Sequence, residues 1–234
     1  MQPQVIAIDG PAASGKDTVG RMLADQLGYA FFDTGVMYRA ITWLAIEKGV
    51  DPKDADAVAE LAQEADIKLG SGQEQSDKSE VILNGREVSR FLRSPEVDSV
   101  VSLVAQIKEV REALVPKQQT LAEGGRIVMT GRDIGTKVLP DAPVKIYLEA
   151  SLEERARRRY AQAKEKGQDQ PLSQVMAMIE ERDRIDSERS ESPLRPADDA
   201  VTINTDNMDP EAVVNTILER IKERCQSAIT PQQS

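Results

Sequence analysis

The sequence of 234 residues contains no histidine at all. Histidine is the commonest general base and the commonest metal ligand of enzymes, so its absence excludes a Ser-His-Asp nucleophile system. Catalysis by this chain must therefore rest on charge and on positioning. Phosphoryl transfer is the reaction class that most readily runs in this way, because the protein contributes mainly orientation and charge stabilisation.

Cysteine and long apolar runs are also scarce, and acidic residues outnumber basic ones by 40 to 30. The single cysteine, Cys225, excludes an intramolecular disulfide and suits a reducing compartment. A formal net charge of −10 argues against a general binder of nucleic acid or membrane surfaces, which needs an extended basic face. The first apolar run, Val5 to Ile8, is too short for a signal peptide or a membrane span. We therefore expect a cytoplasmic monomer whose partners are small molecules.

Short apolar runs alternate with helical patterns along the chain. The runs predict a buried parallel sheet of five strands at Val5–Ile8, Ala30–Phe32, Ile127–Met129, Val144–Leu148 and Ala200–Ile203. Cap signals mark helix starts at Asp51-Pro52, Ser94-Pro95, Ser151 with Glu154, and Asp209-Pro210. Glycines mark helix ends at Gly28, Gly49 and Gly167. This alternation predicts an α/β fold with helices flanking the sheet.

Residues 66–103 break the alternation. The pair Asn84-Gly85 between apolar and polar runs predicts a hairpin with a type I′ turn. Such a segment either completes a ligand site or is an accessory element of the core that takes no part in binding. We predict a single domain over 1–234, with a core at about 1–65 and 104–226 and an insert at about 66–103. The tail at 228–234, rich in Gln and Pro, is expected to be flexible.

A glycine-rich segment, Gly10 to Lys16, stands between the first predicted strand and an amphipathic helix pattern. This setting predicts a phosphate-binding loop, in which backbone N–H groups and a helix N-terminus face phosphate oxygens and Lys16 supplies a positive charge. The alternative is an ordinary flexible turn with a surface lysine. The predicted ATP-binding residues are Gly10, Pro11, Ala12, Ala13, Ser14, Gly15, Lys16, Asp17 and Thr18.

The residue after Lys16 departs from the usual loop pattern. Ser or Thr is usual there, whereas this chain has Asp17, and the hydroxyl follows at Thr18. A carboxylate so close to bound phosphates would repel them unless it points outward or meets magnesium or an arginine. We expect no magnesium ion held directly by protein side chains alone. Magnesium would arrive with the nucleotide, with Thr18 as the candidate contact.

Charged residues recur at two further places. Arg155, Arg157, Arg158 and Arg159 lie early in a predicted helix, where they form either a solvated face or a lid that closes on transferred phosphate. Arg182, Asp186 and Arg189 have the spacing of one helical stripe, and an ordinary salt-bridge ladder is the alternative there. Arg132 and Asp133 follow the strand at Ile127–Met129, where ligands of open parallel sheets gather.

Several motifs together closely resemble the bacterial cytidylate kinases, which are P-loop nucleoside monophosphate kinases. The resemblance runs from about Val5 to the last predicted helix. Its motifs are Asp9-Gly10-Pro11, Ser14-Gly15-Lys16, Asp33-Thr34-Gly35, Tyr38-Arg39, Val110 to Leu114, Gly131 to Thr136, Asp141 to Ile146, and Glu181-Arg182-Asp183. The segments Gly131 to Asp133 and Asp141 to Lys145 are specific to that family, whereas many unrelated NTPases share the loop.

The resemblance implies an enzyme that transfers the γ-phosphoryl group of ATP, with Mg²⁺, to CMP or dCMP. It also implies that the insert binds the nucleoside monophosphate and that a lid spans about 155–170. The implied catalytic residues are Lys16, Arg132, Arg155, Arg157, Arg158 and Arg159. The implied CMP-binding residues are Thr34, Arg39, Ser102, Arg111, Arg132, Asp133, Arg182, Asp186 and Arg189. Within the second set, Ser102, Arg111 and Asp133 would read the cytosine edge.

Two other functions stay open at this stage. One is a kinase of the same architecture with another small acceptor, such as UMP or a sugar acid. The other is a non-catalytic switch protein whose ATP occupancy changes partner binding. A switch GTPase would need a guanine-reading motif and a Ser or Thr directly after Lys16, and the sequence has neither.

Overall fold

The computed structural model describes residues 3–69, 80–165, 167 and 170–227. Their strands, in chain order, are β1 Val5–Asp9, β2 Ala30–Asp33, β3 Ile67–Leu69, β4 Val81–Leu83, β5 Arg86–Glu87, β6 Ile127–Gly131, β7 Val144–Glu149 and β8 Val201–Asn204. The α-helices are α1 Lys16–Leu27, α2 Gly35–Glu47, α3 Ala55–Glu64, α4 Pro95–Ala105, α5 Lys108–Ala122, α6 Leu152–Glu165, α7 Leu172–Glu188 and α8 Pro210–Ser227. One π-helical turn covers Ile134–Val138.

The chain forms two compact units. The first unit contains the chain up to Phe31, the segment Ala122–Glu188 and the chain from Ser192 onward. The second unit contains Phe32–Leu121 and Arg189–Glu191. The predicted insert at 66–103 falls inside the second unit, although residues 70–79 of it lie outside the described residues. The predicted flexible tail, 228–234, also lies outside them.

A five-stranded sheet with the order β2-β6-β1-β7-β8 confirms the prediction from the apolar runs. Strand β1 pairs in parallel with β6 and β7, and β7 pairs in parallel with β8. The strands extend one or two residues beyond the predicted ends, and β6 ends at Gly131, directly before Arg132 and Asp133. Asp9 pairs with Gly131 on one side and with Tyr147 on the other, which brings the carboxyl ends of three strands to one edge.

Helices α1 and α8 pack with this sheet in the main apolar core. Ile8, Leu23, Leu148 and Ile217 are fully buried there. Each such side chain contributes roughly 1.5–3 kcal/mol when it leaves water. The central strands are buried on both sides, which explains why they read as continuous apolar runs in the sequence.

Most predicted helix ends are confirmed. Gly28 ends α1 with φ 65°, and Ser94 accepts a hydrogen bond from Val97 N at 3.4 Å ahead of α4. The prediction at Asp51-Pro52 is wrong, because α3 begins three residues later. Asp54 caps that helix by accepting from Ala57 N at 3.1 Å, whereas Asp51 closes a local turn onto Lys53 N.

The second unit contains the predicted hairpin. Strands β4 and β5 are antiparallel, with Leu83 opposite Arg86. Asn84 and Gly85 join them with φ 50° and 79°, the positive values that a type I′ turn requires. Strand β3 pairs with the other side of β4 and completes a three-stranded sheet. Within the described part of the chain, no helix combines the length and apolar character that a membrane span needs.

Candidate functional site

The loop from Gly10 to Lys16 connects β1 to α1, as predicted. A Cβ atom on Gly10 would lie 2.3 Å from the carbonyl oxygen of Leu148 and 2.8 Å from Ser14 Oγ, so only glycine fits there. Gly15 takes the N-cap position of α1 with φ 92°, a left-handed conformation that favours glycine. None of the described side chains caps the amino end of α1, and its first N–H groups point out of the helix.

Two polar side chains of the loop are buried. Ser14 is fully buried, and its Oγ has no hydrogen-bond partner among the described residues. The Lys16 side chain is 7% exposed, and its Nζ lies 3.9 Å from Asp17 Oδ1. A buried donor without a partner, a buried ammonium and an uncapped helix end together form a site suited to an anion such as a phosphate group.

Asp17 does not project freely into solvent. Its carboxylate accepts a hydrogen bond from Thr130 Oγ1 at 3.1 Å, and Thr130 belongs to β6. Its negative charge also stabilises the guanidinium of Arg132. Of the alternatives that the sequence left open, the structure therefore favours an Asp17 held by a hydroxyl and near an arginine.

At the loop, the hydroxyl of Thr18 is the predicted contact for a magnesium ion that arrives with the nucleotide. The described residues contain no group of three or more His, Cys, Asp or Glu side chains that could hold a metal. Thr18 is exposed at the start of α1. Magnesium usually keeps several waters and takes only one or two protein ligands beside substrate phosphates, and the exposed Thr18 hydroxyl stays the candidate for such a contact.

Asp9, at the end of β1, has a role that the sequence analysis missed. It is 4% exposed, and its two carboxylate oxygens accept hydrogen bonds from the backbone N–H groups of Ile134 and Gly135, both at 2.8 Å. Burial raises the pKa of Asp9 to about 6, although these two bonds and the charge of Lys16 act in the opposite direction. The Asp9 carboxylate thus fixes the chain just after Arg132 and Asp133. A lone acidic residue ending an apolar strand was the available sequence signal.

We expect Asp9 to make stability depend on pH. Its pKa of about 6 in the folded chain lies above the ordinary value of 3.8, so the folded state binds the proton more tightly than the unfolded state. The stability that this proton supplies is present at acid pH and is lost as pH rises through about 6. The free energy of unfolding of the wild type, relative to that of Asp9→Asn, should fall by about 2 kcal/mol between pH 4 and pH 8.

Chemical denaturation of both proteins across this range measures the effect. Comparing the two cancels most contributions of other titrating groups, of which Asp133, Lys16 and Tyr147 interact most directly with Asp9. A difference between the two proteins that stays constant with pH would contradict the prediction.

Arg132 and Asp186 form a buried ion pair. Arg132 Nε donates to Asp186 Oδ2 at 2.8 Å, and the two side chains are 15% and 5% exposed. Burial alone would lower the pKa of the Arg132 guanidinium, but the carboxylates of Asp186, Asp17 and Asp183 together outweigh it and hold that pKa above its usual range. Asp133, next along the chain, is also buried. The structure therefore pairs Arg132 with Asp186 of α7, and both residues belong to the implied CMP-binding set.

The predicted stripe on α7 is wrong at its last member. Arg182 and Asp186 lie on α7, but the helix ends at Glu188, so Arg189 lies outside it. The chain reverses at this point, because Leu194 N donates to the carbonyl oxygen of Asp186 at 2.7 Å. Helical spacing cannot be extended past such a turn.

The four arginines of α6 have different environments. Arg157 is 70% exposed and binds Glu154, as a solvated face residue does, and Arg159 is half-buried. Arg158 donates to the carbonyl oxygens of Ser14 at 3.3 Å and Thr205 at 2.6 Å. Arg155 is buried and donates to the carbonyl oxygen of Ala12 at 3.2 Å. Arg155 and Arg157 thus have opposite environments, one buried and the other exposed.

Two more residues that the sequence analysis missed support the loop. Asp183 of α7 binds Arg155 and accepts from Ala12 N at 3.4 Å. Thr205, which follows β8 and is 1% exposed, has its hydroxyl, with one proton to donate, within hydrogen-bond distance of the carbonyl oxygens of Ser14 at 3.4 Å and Glu149 at 3.1 Å. The sequence does offer a signal for Asp183, because it lies three residues before Asp186 and therefore on the same face of one helix. Nothing in the sequence points to Thr205.

The second unit holds the remaining predicted residues. Arg39 donates from Nη1 to Asp98 Oδ1 at 2.5 Å and to the carbonyl oxygen of Leu92 at 2.9 Å. The Arg111 guanidinium lies 5.4 Å from the ring centre of Tyr38 and donates to the carbonyl oxygen of Ala105 at 3.1 Å. Thr34 and Ser102 are buried polar residues of the same unit. Buried arginines fixed in this way present defined donors rather than mobile charges.

Comparisons with known proteins agree with the motifs. The cytidylate kinase family model matches residues 6–223. A cytidylate kinase of Bacillus thuringiensis (strain Al Hakam) is 48% identical over 213 residues, which cover 91% of this chain and 93% of that protein. A bifunctional pantoate ligase/cytidylate kinase of Synechococcus sp. (strain JA-2-3B'a(2-13)) is 47% identical over 214 residues, which cover 92% of this chain and 40% of that protein.

Solved structures support the fold. A gluconokinase from Sinorhizobium meliloti 1021 matches with a TM-score of 0.51 at 15% sequence identity, and the match covers 97% of this chain and 96% of that one. At this level of identity the match shows how the sheet and its helices are arranged and carries no information about the phosphoryl acceptor.

Proposed function

The chain belongs to the cytidylate kinase family, and on that premise we propose that it transfers the γ-phosphoryl group of ATP to CMP and dCMP. An oxygen of the CMP phosphate attacks the γ-phosphorus, the bond from that phosphorus to the β–γ bridging oxygen breaks, and CDP and ADP leave. The observation that carries the proposal is the anion site of the Gly10 to Lys16 loop, in a chain that matches the family model over residues 6–223.

On the donor side, we assign ATP to residues 10–18. The uncapped N–H groups of α1 and the Ser14 hydroxyl would donate to phosphate oxygens, and Lys16 would balance charge on the transferring group. Mg²⁺, held by the nucleotide and the Thr18 hydroxyl, would neutralise negative charge on the β- and γ-phosphates. The arginines of α6 would belong to the lid at about 155–170, from which one of them would supply the cation at the transferred phosphate.

On the acceptor side, we assign the cytosine edge to Ser102, Arg111 and Asp133. A donor and an acceptor carboxylate together match cytosine, which presents both an amino group and a carbonyl oxygen, and they reject adenine. Thr34, Arg39 and Arg132 would hold the acceptor nucleotide. Arg182 and Asp186 would approach its sugar, and Arg189 its phosphate. The insert at about 66–103 would bind the monophosphate.

We propose a monomeric cytoplasmic enzyme of small nucleotides, and the net charge of −10 argues against a nucleic-acid binder. The family match likewise gives no support to a non-catalytic switch protein or to a kinase for another acceptor.

A kinetic survey with CMP, dCMP, UMP and AMP at fixed ATP and magnesium tests the proposal. We expect kcat/KM for CMP and dCMP to exceed that for AMP by at least about 100-fold, because adenine leaves the buried base-reading groups unpaired. Equal rates with AMP and CMP would contradict the acceptor assignment. ATP binding with no monophosphate-dependent turnover would favour the switch protein.

A further inference from the structure

We propose that Asp183 and Arg155 are positioning residues that hold the middle of the ATP-binding loop, and that Arg155 acts through the loop rather than on the transferred phosphate. The inference rests on the proposed function, since it takes residues 10–18 as the ATP site. It separates Arg155 from the other arginines of α6.

The contacts form a closed ring around Ala12. Asp183 Oδ1 accepts from the backbone N–H of Ala12 at 3.4 Å, and Arg155 Nη1 donates to the backbone carbonyl of the same residue at 3.2 Å. Arg155 Nη1 also donates to Asp183 Oδ2, which closes the ring. Both backbone groups of one loop residue are therefore bound by side chains from α6 and α7. The Ala12 N–H points at a carboxylate, so it is not directed at a phosphate.

Burial makes this ring costly to break. The Arg155 and Asp183 side chains are 9% and 21% exposed, and Arg155 Nε donates to the carbonyl oxygen of Ala150 at 3.0 Å. The Nε and Nη1 donors of Arg155 thus bind groups of the protein itself. Leaving a buried guanidinium without its carboxylate is strongly unfavourable, so each residue of the pair depends on the other.

Ala13, the next residue of the loop, also contacts α6 and α7. Ala13 packs against the apolar cluster of Ala156, Val175 and Ile179, which come from α6 and α7. Ala13 also takes a positive φ of 59°, a conformation that a residue other than glycine holds only when its surroundings impose it. Polar and apolar contacts from α6 and α7 therefore impose one loop conformation before any nucleotide arrives.

ADP is the probe that distinguishes positioning from contact with the transferred group. ADP lacks the γ-phosphoryl group, so a residue that contacts only that group cannot affect ADP affinity. If Arg155 and Asp183 shape the loop, Arg155→Met and Asp183→Asn should each raise the Kd of ADP by about tenfold. The double variant should bind ADP no more weakly than the poorer single variant, because both substitutions break one ring.

Isothermal titration calorimetry of ADP with the full chain, without CMP, measures these constants. Arg184→Ala is the matched control, since Arg184 neighbours Asp183 on α7 but is 55% exposed and pairs with Glu181 and Glu188. Its Kd for ADP should equal that of the wild type. Thermal unfolding followed by circular dichroism verifies that each variant is folded at the titration temperature, and Asp183→Asn retains an oxygen for Ala12 N–H if Arg155→Met is too unstable.

Unchanged ADP affinity in Asp183→Asn and Arg155→Met would overturn the proposal. A loss of kcat in Arg155→Met with unchanged ADP affinity would also overturn it and would place Arg155 at the γ-phosphate. Neither result depends on the acceptor, so failure here is distinguishable from failure of the CMP assignment, which the nucleotide survey tests.

Discussion

Replacing Lys16 by alanine is expected to lower kcat for phosphoryl transfer by about 10³-fold while leaving the fold intact. The Lys16 ammonium lies at the start of α1 with its side chain 7% exposed, in a loop whose other polar groups are uncharged donors. A charge held in a partly dry site stabilises the transition state far more than a solvated charge does. Steady-state rates with saturating ATP and CMP measure the loss.

The matched control is Lys222→Ala, which removes an exposed lysine of α8. That variant should keep the wild-type kcat and Tm. Lys16 also lowers the pKa of Asp9, so Lys16→Ala should shift the acid dependence of stability slightly without unfolding the protein at neutral pH. If Lys16→Ala keeps kcat within about threefold of the wild-type value, the loop has no part in phosphoryl transfer and the prediction is wrong.

The second large effect is expected from Gly10→Ala. The new methyl carbon would lie 2.3 Å from the carbonyl oxygen of Leu148, and backbone on both sides leaves neither atom free to move. The loop must shift, and displacement of catalytic groups by about 1 Å costs about 100-fold in rate. We expect kcat/KM for ATP to fall by about that factor and the free energy of unfolding to fall by about 1–3 kcal/mol.

Gly124→Ala is its control, because a Cβ at Gly124 meets no described atom within 4 Å. Both substitutions add one methyl group, so a difference between them isolates crowding at the loop. Urea denaturation and ATP kinetics on the two variants provide the comparison. Wild-type ATP kinetics in Gly10→Ala would show that the loop tolerates a side chain at its first residue.

The features that sequence alone predicted are those set by short-range chemistry. Strand β1, the loop and α1 follow one another within 23 residues from Val5 to Leu27, and apolar runs, glycine positions and Lys16 are all visible there. The hairpin was predictable for the same reason, because Asn84 and Gly85 specify their own backbone conformation. The family motifs then added the prediction that CMP or dCMP accepts the phosphoryl group.

The contacts that support the loop were not predictable in this way. Asp183 reaches Ala12 across 171 positions, and Asp9 reaches Ile134 across 125. Their partners are backbone groups, which carry no signature in the sequence. Asp17 is intermediate: its departure from the usual loop pattern was visible, but its bond to Thr130 needed the alignment of β6 beside β1.

The contact between Thr205 and the loop affects the order in which the protein can fold during its synthesis. The Thr205 hydroxyl reaches the Ser14 carbonyl across 191 positions, so during synthesis the loop obtains this support only after β8 has been translated. A nascent chain still on the ribosome can form β1 and α1 but lacks this brace. Full support of the loop is thereby tied to the emergence of Thr205, and a chain truncated before that residue lacks this hydrogen bond.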